Sequence, residues 1–268
     1  MVSRRPRIMR TYKPASILLA FVVCSLIASG RFCLAQTTSS ETNPVKLDEY
    51  GDLSSDDEAA RLDLFAARLF NQAKLRGQIV AYSGPRMLRG DYLRRIYGIH
   101  KYLTYSRGIE ANRIAVVDAG YKEQFSTELW LLPEGAHPPT PVPTIPQPSV
   151  SISSPYQFDE ECLDCSPAVL LDLYGLNEGL QFYAEELRKY SAARGLIIVR
   201  PDKIVSIRRA LNEARQAKSL LIKRHGIDAN RLIVKSGRSR NDGTAIAEMW
   251  LVPAGAKFPT TTSNQTAR

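Results

Sequence analysis

The feature that most constrains the fold of this 268-residue chain is an internal repeat. A shift of 118 residues superimposes residues 107–114 on residues 225–232, which share the order Gly-Ile-acidic-Ala-Asn-Arg. Residues 128–133 match residues 248–253 at a shift of 120, so the second copy has gained two residues in between. Similarity at a fixed offset indicates that one supersecondary unit occurs twice. We therefore predict two α/β domains of about ninety residues, at residues 44–136 and 155–257.

Both copies show the same order of predicted elements, β-α-β-α-β-β. Apolar residues at helical spacing mark one face of each helix, and Gly108 and Gly226 stand where a left-handed residue ends the second helix. The pattern predicts an α+β class, with each domain a mixed sheet that packs two helices on one face. The predicted helix faces are Leu62, Phe65, Ala66, Leu69, Tyr92, Ile96, Ile99 and Leu103, and then Leu180, Tyr183, Ala184, Leu187, Ala210, Ala214, Ala217 and Leu221.

Element bounds follow from caps, glycines and β-branched runs. Ser55 and Glu58 have the spacing of a capping box at the start of the first helix, and Gly120 is predicted in the loop between the last two strands. The first copy is predicted to hold strands at 45–50, 78–83, 113–118 and 127–132 and helices at 55–74 and 91–106; the second is predicted to hold a strand at 196–200 and a helix at 210–224.

The first 35 residues have the layout of a secretory signal peptide. Five basic residues precede an apolar run at residues 15–30, and small residues up to Ala35 provide a cleavage site. The run is shorter than the ~20 residues that span a bilayer, so we expect no membrane span after cleavage. A lipoprotein signal is not favoured, because Cys24 follows Phe-Val-Val and Cys33 follows Gly-Arg-Phe, and neither is the small-residue run that such a signal shows before its cysteine. The general secretion route is preferred over twin-arginine export, and the expected location is periplasmic or secreted.

The net charge of +9 belongs mostly to this leader. Six of the 36 basic residues and none of the 27 acidic residues lie within it, which leaves a mature charge of +3. No basic stripe interleaved with aromatic residues remains, so nucleic acid is not an expected partner.

Two segments are too poor in apolar residues to build a core. Residues 137–154 contain six prolines, a composition that favours an extended, semi-rigid linker. Residues 258–268 are predicted to form a disordered tail.

The second helix of each copy, followed by Gly-Ile and Arg-Ile or Arg-Leu, resembles the C-terminal domain of the outer-membrane protein A (OmpA) family. This resemblance implies an OmpA-like fold and noncovalent binding of peptidoglycan. In that family an aspartate after the central strand and a helix arginine together clasp the diaminopimelate of the stem peptide. Arg95 falls on the arginine position of the first copy, where the aspartate is missing. Asp202 falls on the aspartate position of the second copy, where Glu213 replaces the arginine and Arg215 lies two residues along.

Those three residues, Arg95, Asp202 and Arg215, are the candidate ligand-binding residues. For Arg95 the favoured interpretation is nevertheless a solvated helix arginine, since such residues are mostly exposed, and the same holds for Asp202 as a solvated acidic residue. Arg215 is not expected to replace the missing cation, because two residues along a helix turn a side chain by about 200°. The clasp is therefore divided between the copies.

Cys162 and Cys165 are the two cysteines left in the mature chain, and an oxidising compartment favours a disulfide between them. A redox pair is less favoured, because Asp159, Glu161 and Asp164 would raise the thiol pKa. The sequence offers no second ligand pair for zinc and no phosphate-binding or nucleophile motif. We predict no metal, no cofactor and no catalytic residue.

The leading hypothesis is a noncatalytic envelope protein that binds peptidoglycan or an envelope protein. The alternative is a purely structural or protein-interaction module with no peptidoglycan binding. An enzyme is the third choice.

Overall fold

The computed structural model of the chain describes residues 43–146, 153–163, 176–240 and 242–259. The predicted signal peptide and its cleavage site lie outside these residues. The first repeat follows the predicted order of elements. They are β1 (Val45–Tyr50), α1 (Ser55–Asn71), β2 (Arg76–Ser83), α2 (Arg89–Lys101), a π-helical turn (Tyr102–Ser106), a 3-10 turn (Ala111–Arg113), β3 (Ile114–Tyr121) and β4 (Ser126–Leu132).

The second repeat has the same elements, which are β5 (Tyr156–Cys162), α3 (Leu176–Lys189), β6 (Arg194–Arg200), α4 (Ile207–Lys223), a 3-10 turn (Ala229–Arg231), β7 (Leu232–Ser236) and β8 (Ile246–Val252). The strand order is β1-β4-β2-β3 in one sheet and β5-β8-β6-β7 in the other. β2 with β3 and β6 with β7 pair in parallel, and the other neighbours are antiparallel. The predicted mixed α/β class, with two separate four-stranded sheets and two helices for each, is confirmed within the described residues.

The helices of each repeat pack on one face of its sheet. In the first repeat, Ile79 and Leu129 cluster with the helix residues Leu62 and Phe65. Val80 belongs to a different cluster on the other face, because successive strand residues point in opposite directions. All the predicted helix-face residues are buried, and none is more than 7% exposed. No helix in the described ranges is long and apolar enough to cross a membrane.

Local details differ from the predicted bounds. The cap of α1 is Ser54 rather than Ser55, and the Ser54 hydroxyl accepts a hydrogen bond from the Asp57 amide at 3.2 Å. Glu58 is only 4% exposed, so its carboxylate faces the protein interior and forms no capping box. Two adjacent serines offer the same chemistry, and spacing alone does not distinguish them. Gly120 lies within β3, with φ at 87°, rather than in the following loop.

An arginine from the shared Ala-Asn-Arg motif fixes the end of the first helix in both repeats. Arg113 donates to the carbonyl oxygens of Leu69, Gln72 and Leu75 at 2.8 to 3.1 Å. Arg231 donates to those of Leu187, Tyr190 and Ala193 at 2.6 to 3.0 Å. Carbonyls at a helix C-terminus lack intrahelical partners, and a cation there also complements the helix dipole. This contact explains why the motif is present twice.

The segments that follow each sheet lie against their own repeat. Val142 of the proline-rich linker donates its amide hydrogen to the Tyr82 hydroxyl at 3.0 Å, and Ile145 pairs with the backbone of Tyr121. Residues 147–152 of the linker lie outside the described residues. Phe258, placed by the sequence at the start of the tail, packs on the open face of the second sheet with its ring 4.5 Å from Arg194.

Candidate functional site

Arg95 of the first repeat is held by its own repeat. Its Nη1 donates to Asp52 at 2.5 Å, its Nε lies 3.7 Å from a carboxylate oxygen of Glu58, and its guanidinium stands 4.2 Å above the Phe125 ring. The side chain is 17% exposed. The interpretation of Arg95 as a solvated helix residue is therefore wrong, because its partners come from a helix and two loops at least thirty residues away.

The two carboxylates around Arg95 are unequal. Glu58 is buried, and loss of hydration raises the pKa of its carboxyl although Arg95 opposes the shift. The Asp52 side chain is 83% exposed and is free to turn into solvent at little cost. Any carboxylate ligand at Arg95 would therefore have to take the place of Asp52.

Asp202 has a backbone role at the end of β6. Its carboxylate accepts hydrogen bonds from the amides of Ile204 at 2.8 Å and Val205 at 2.5 Å, which closes the turn before α4. Short acidic side chains stabilise such turns through bonds to the amides that follow them. The Asp202 carboxylate is thus already engaged by the backbone of its own loop.

Arg215 lies on the exposed side of α4, next to buried Ala214. It donates to the Asn212 side chain at 3.1 Å, one turn back along the helix. Within the described ranges no hydrogen bond or ion pair joins Arg215 to Asp202. The expected rotation of Arg215 away from the strand end agrees with this placement.

Steric crowding accounts for the missing aspartate of the first repeat. Gly84 occupies the position of Asp202, and a Cβ there would lie 3.1 Å from the Phe125 backbone nitrogen. A contact this tight with backbone leaves no room for a side chain without a shift of the loop. The first repeat has therefore replaced the aspartate by close packing of the Phe125 loop, which also brings Phe125 to Arg95.

Cys162 is the last residue of β5, whereas Cys165 lies outside the described residues. The disulfide between them stays a prediction. Among the residues described, no cluster of three or more histidine, cysteine or acidic side chains is arranged to hold a metal ion.

The structure reveals an ion pair between the repeats that the sequence analysis missed. Arg94 of α2 pairs with Asp159 of β5, whose side chain is fully buried. Loss of hydration raises the pKa of the Asp159 carboxyl to about 7, against the opposing effect of Arg94. Beside this pair, Tyr97 meets Phe182 edge to face at 5.7 Å between ring centres. The two repeats are thus joined by a buried charge pair and an aromatic contact.

Glycine makes this contact between the repeats sterically allowed. A Cβ at Gly90 would overlap the carboxyl group of Asp159, so α2 approaches β5 closely only because position 90 has none. Gly179 on α3 lies against the same arginine, and a Cβ there would make an ordinary contact with the Arg94 Cδ at 3.5 Å.

The corresponding aspartate of the first repeat has a different partner. Asp48 and Asp159 both follow a β-bulge on the first strand of their repeat. Asp48 accepts two hydrogen bonds at 2.8 Å from Arg61 on α1, besides one from the Glu49 amide. At a shift of 118, Arg61 falls on Gly179. The second repeat has therefore lost its own arginine, and Arg94 of the first repeat takes its place.

A carboxylate and a tryptophan two residues apart recur on the last strand of each repeat. The Trp130 indole donates to Glu128 at 2.8 Å, and the Trp250 indole donates to Glu248 at 3.0 Å. Both glutamates are at most 7% exposed. Their tryptophan partners belong to the clusters on the helix-free face of each sheet. Lys122 pairs with Glu128, and Arg200 pairs with Glu248. These buried polar groups satisfy one another's hydrogen bonds, and we assign them a structural role in the sheet.

Comparison with known proteins does not extend this description: no protein-family model matches the chain, and no curated protein matches it at a significant level.

Proposed function

We propose that the chain is a noncatalytic binding module of the cell envelope, exported by its signal peptide and built from two divergent OmpA-like domains. The observation that carries the proposal is the shared scaffold: both repeats keep the same strand order, the same helix faces and the same arginine at the end of the first helix. A module of this kind supplies a surface rather than a reaction. Its partner would be peptidoglycan or another envelope protein.

The occupied clasp residues favour a protein partner over peptidoglycan. A zwitterionic diaminopimelate centre needs a cation and an anion at one place, because an unpaired charge of the ligand would lose its hydration without compensation. Arg95 and Asp202 lie in different repeats, and Asp202 is engaged by the amides of its own turn. Neither repeat therefore offers the complete pair.

A protein partner also fits the outer surface of the first repeat. Leu64 and Phe70 on α1 and Tyr105 after α2 are 60 to 80% exposed. Large exposed apolar side chains on neighbouring elements are a usual component of protein contacts. Residual binding of peptidoglycan is favoured by one observation only, the exposed and exchangeable Asp52 beside Arg95.

Cosedimentation of the mature protein with purified peptidoglycan tests these alternatives. We expect little protein in the pellet, because one partly exposed arginine pair contributes only ~0 to 1 kcal/mol. Arg95→Ala should lower any residual binding more than Asp202→Ala does, with Arg215→Ala as an exposed control. The opposite outcome would be strong cosedimentation that is lost in Asp202→Ala. It would show that the second repeat binds the cell wall and that a protein partner is not required.

A further inference from the structure

The second repeat contains a cavity of about 240 Å³ between its sheet and α4. Ile197 and Met249 of the sheet and Ala214 and Ala217 of α4 form apolar walls. An engineered apolar cavity of ~150 Å³ holds benzene, so this volume accommodates a ring with a short substituent.

The first repeat fills the corresponding volume with its own side chains. Ile96 and Ile99 stand at the positions of Ala214 and Ala217 in the helix. Tyr50 and Thr127 face each other across β1 and β4, where the second repeat pairs Glu161 with Ala247. These four residues of the first repeat are at most 7% exposed. Four coordinated replacements by smaller or more polar residues have thus created the cavity.

Apolar walls that are open to solvent are unfavourable, because the free energy falls when their surface is removed from water. Single large-to-small replacements are tolerated at a cost, but four at one place point to an occupant. The chemistry of the walls indicates what that occupant is.

Two carboxylates belong to the cavity lining, Glu161 and Glu213. Glu161 is partly buried, and the cation that acts on it, Arg94, already pairs with Asp159. Glu213 is 33% exposed and shares one oxygen with Arg209. The first repeat has Arg95 at the position of Glu213, so the charge at this place is reversed between the repeats. One arginine thus serves two carboxylates, Asp159 and Glu161, and the excess negative charge at the cavity favours an additional cation.

We propose that this cavity of the second repeat binds an organic cation, with an apolar body of about ring size in the cavity and an ammonium or guanidinium group at Glu161 and Glu213. The site is independent of the proposed cell-wall binding. That binding is expected at Arg95 of the first repeat, a cation, whereas this cavity presents carboxylates. A negative peptidoglycan result therefore has no bearing on it.

Benzylammonium is a suitable probe, with benzyl alcohol and benzoate as controls of the same shape that lack the charge or reverse it. Titration of the mature protein, followed by amide chemical shifts, should show benzylammonium bound roughly tenfold more tightly than benzyl alcohol, as one charge-assisted contact predicts. Benzoate should not bind. Equal binding of the three compounds, or binding of none, would overturn the proposal.

Two variants locate the ligand. Ala214→Ile restores the residue of the first repeat and should abolish binding of both benzylammonium and benzyl alcohol while preserving or raising the melting temperature. Glu161→Gln should weaken benzylammonium roughly tenfold and leave benzyl alcohol unchanged. Ala67→Ile on the exposed side of α1 is the matched control and should change neither.

The Ala214→Ile variant also separates a ligand from an internal occupant. Residues 164–175, outside the described ranges, connect Leu163 to α3 and are the part of the chain nearest in sequence to the cavity. If the chain filled the cavity itself, Ala214→Ile would overpack it and lower the melting temperature, and benzylammonium would cause no shift changes. That combination would contradict the proposal.

Discussion

Asp48 and Asp159 occupy the same place in the two repeats, yet their surroundings differ. Asp48 pairs with Arg61 at the surface, where the two side chains are 26% and 41% exposed. Asp159 is fully buried and pairs with Arg94 of the other repeat. An exposed pair contributes little, whereas a buried charge depends on its partner. The comparison teaches that an aspartate at this position contributes little when its own repeat supplies the arginine. When the other repeat supplies the arginine, the aspartate is needed for the contact between the two repeats.

Substitution of Arg94 and of Arg61, one at a time, is the most direct test of this difference between the two aspartates. Arg94→Ala leaves the Asp159 charge buried without compensation and should destabilise the mature protein by about 3 to 5 kcal/mol. Arg61→Ala is the matched control and should cost only ~0 to 1 kcal/mol. Denaturant unfolding at pH 8, where Asp159 is ionised, measures both. Equal effects would mean that burial does not distinguish the two aspartates.

Arg113 and Arg231 test what the repeats have in common. Each donates to three carbonyl groups at the end of the first helix, so Arg113→Met and Arg231→Met should each cost about 1 to 3 kcal/mol. The two losses should agree, because the contacts are equivalent. Parallel denaturation of the two variants gives the comparison, and Arg215→Met, at an exposed position, is the control. A large difference would show that the shared scaffold is not equally stable in both copies.

The pH dependence of stability sharpens the contrast between the aspartates. Burial places the folded pKa of Asp159 at about 7, above its ordinary value of 3.8. The folded state therefore binds an extra proton between these values, and the stability this provides is complete below about pH 4 and lost as the pH rises through 7. Asp159→Asn should flatten this part of the profile. A profile that Asp159→Asn leaves unaltered would exclude this titration, and Asp48→Asn is the comparison variant.

The smallest expected effect comes from rebuilding the pattern of the first repeat in the second. In an Arg94→Ala background, Gly179→Arg places a cation on α3 where Arg61 stands on α1. Gly179→Ala is the control, because it gives the same gain in helix propensity without a charge. The arginine variant should be more stable than the alanine variant by ~1 kcal/mol in the same denaturation assay. Equal stability of the two variants would mean that an arginine side chain at position 179 does not reach Asp159.

Much of the fold was predictable because its determinants are local and occur twice. The buried residues Leu62 and Leu180 follow from helical spacing, and Gly108 and Gly226 take the expected left-handed conformation, with φ at 67° and 68°. Errors arose where local signals were equivalent, as at Ser54 and Ser55. The OmpA-like identity of the domains and the pairing of Cys162 with Cys165 stay predictions.

The surroundings of the candidate residues were not predictable, because they depend on contacts between distant segments. Arg95 was taken for a surface residue, and only the folded chain brings Asp52 and Phe125 to it. The Arg94 to Asp159 pair joins segments 65 residues apart. One signal was present: the aspartate recurs in both copies, while its arginine is replaced by Gly179. A retained acid with a missing partner suggests that the partner comes from elsewhere.

Arg61 also bears on the stacking of further units. A contact in which α2 of one unit meets the first strand of the next is head to tail, and such contacts between like units have no built-in end. On the first repeat the equivalent aspartate already has a partner, since Arg61 neutralises Asp48. Another copy of α2 would find its arginine redundant there. Arg61 thus removes from the first repeat the unpaired charge that the second repeat presents to α2.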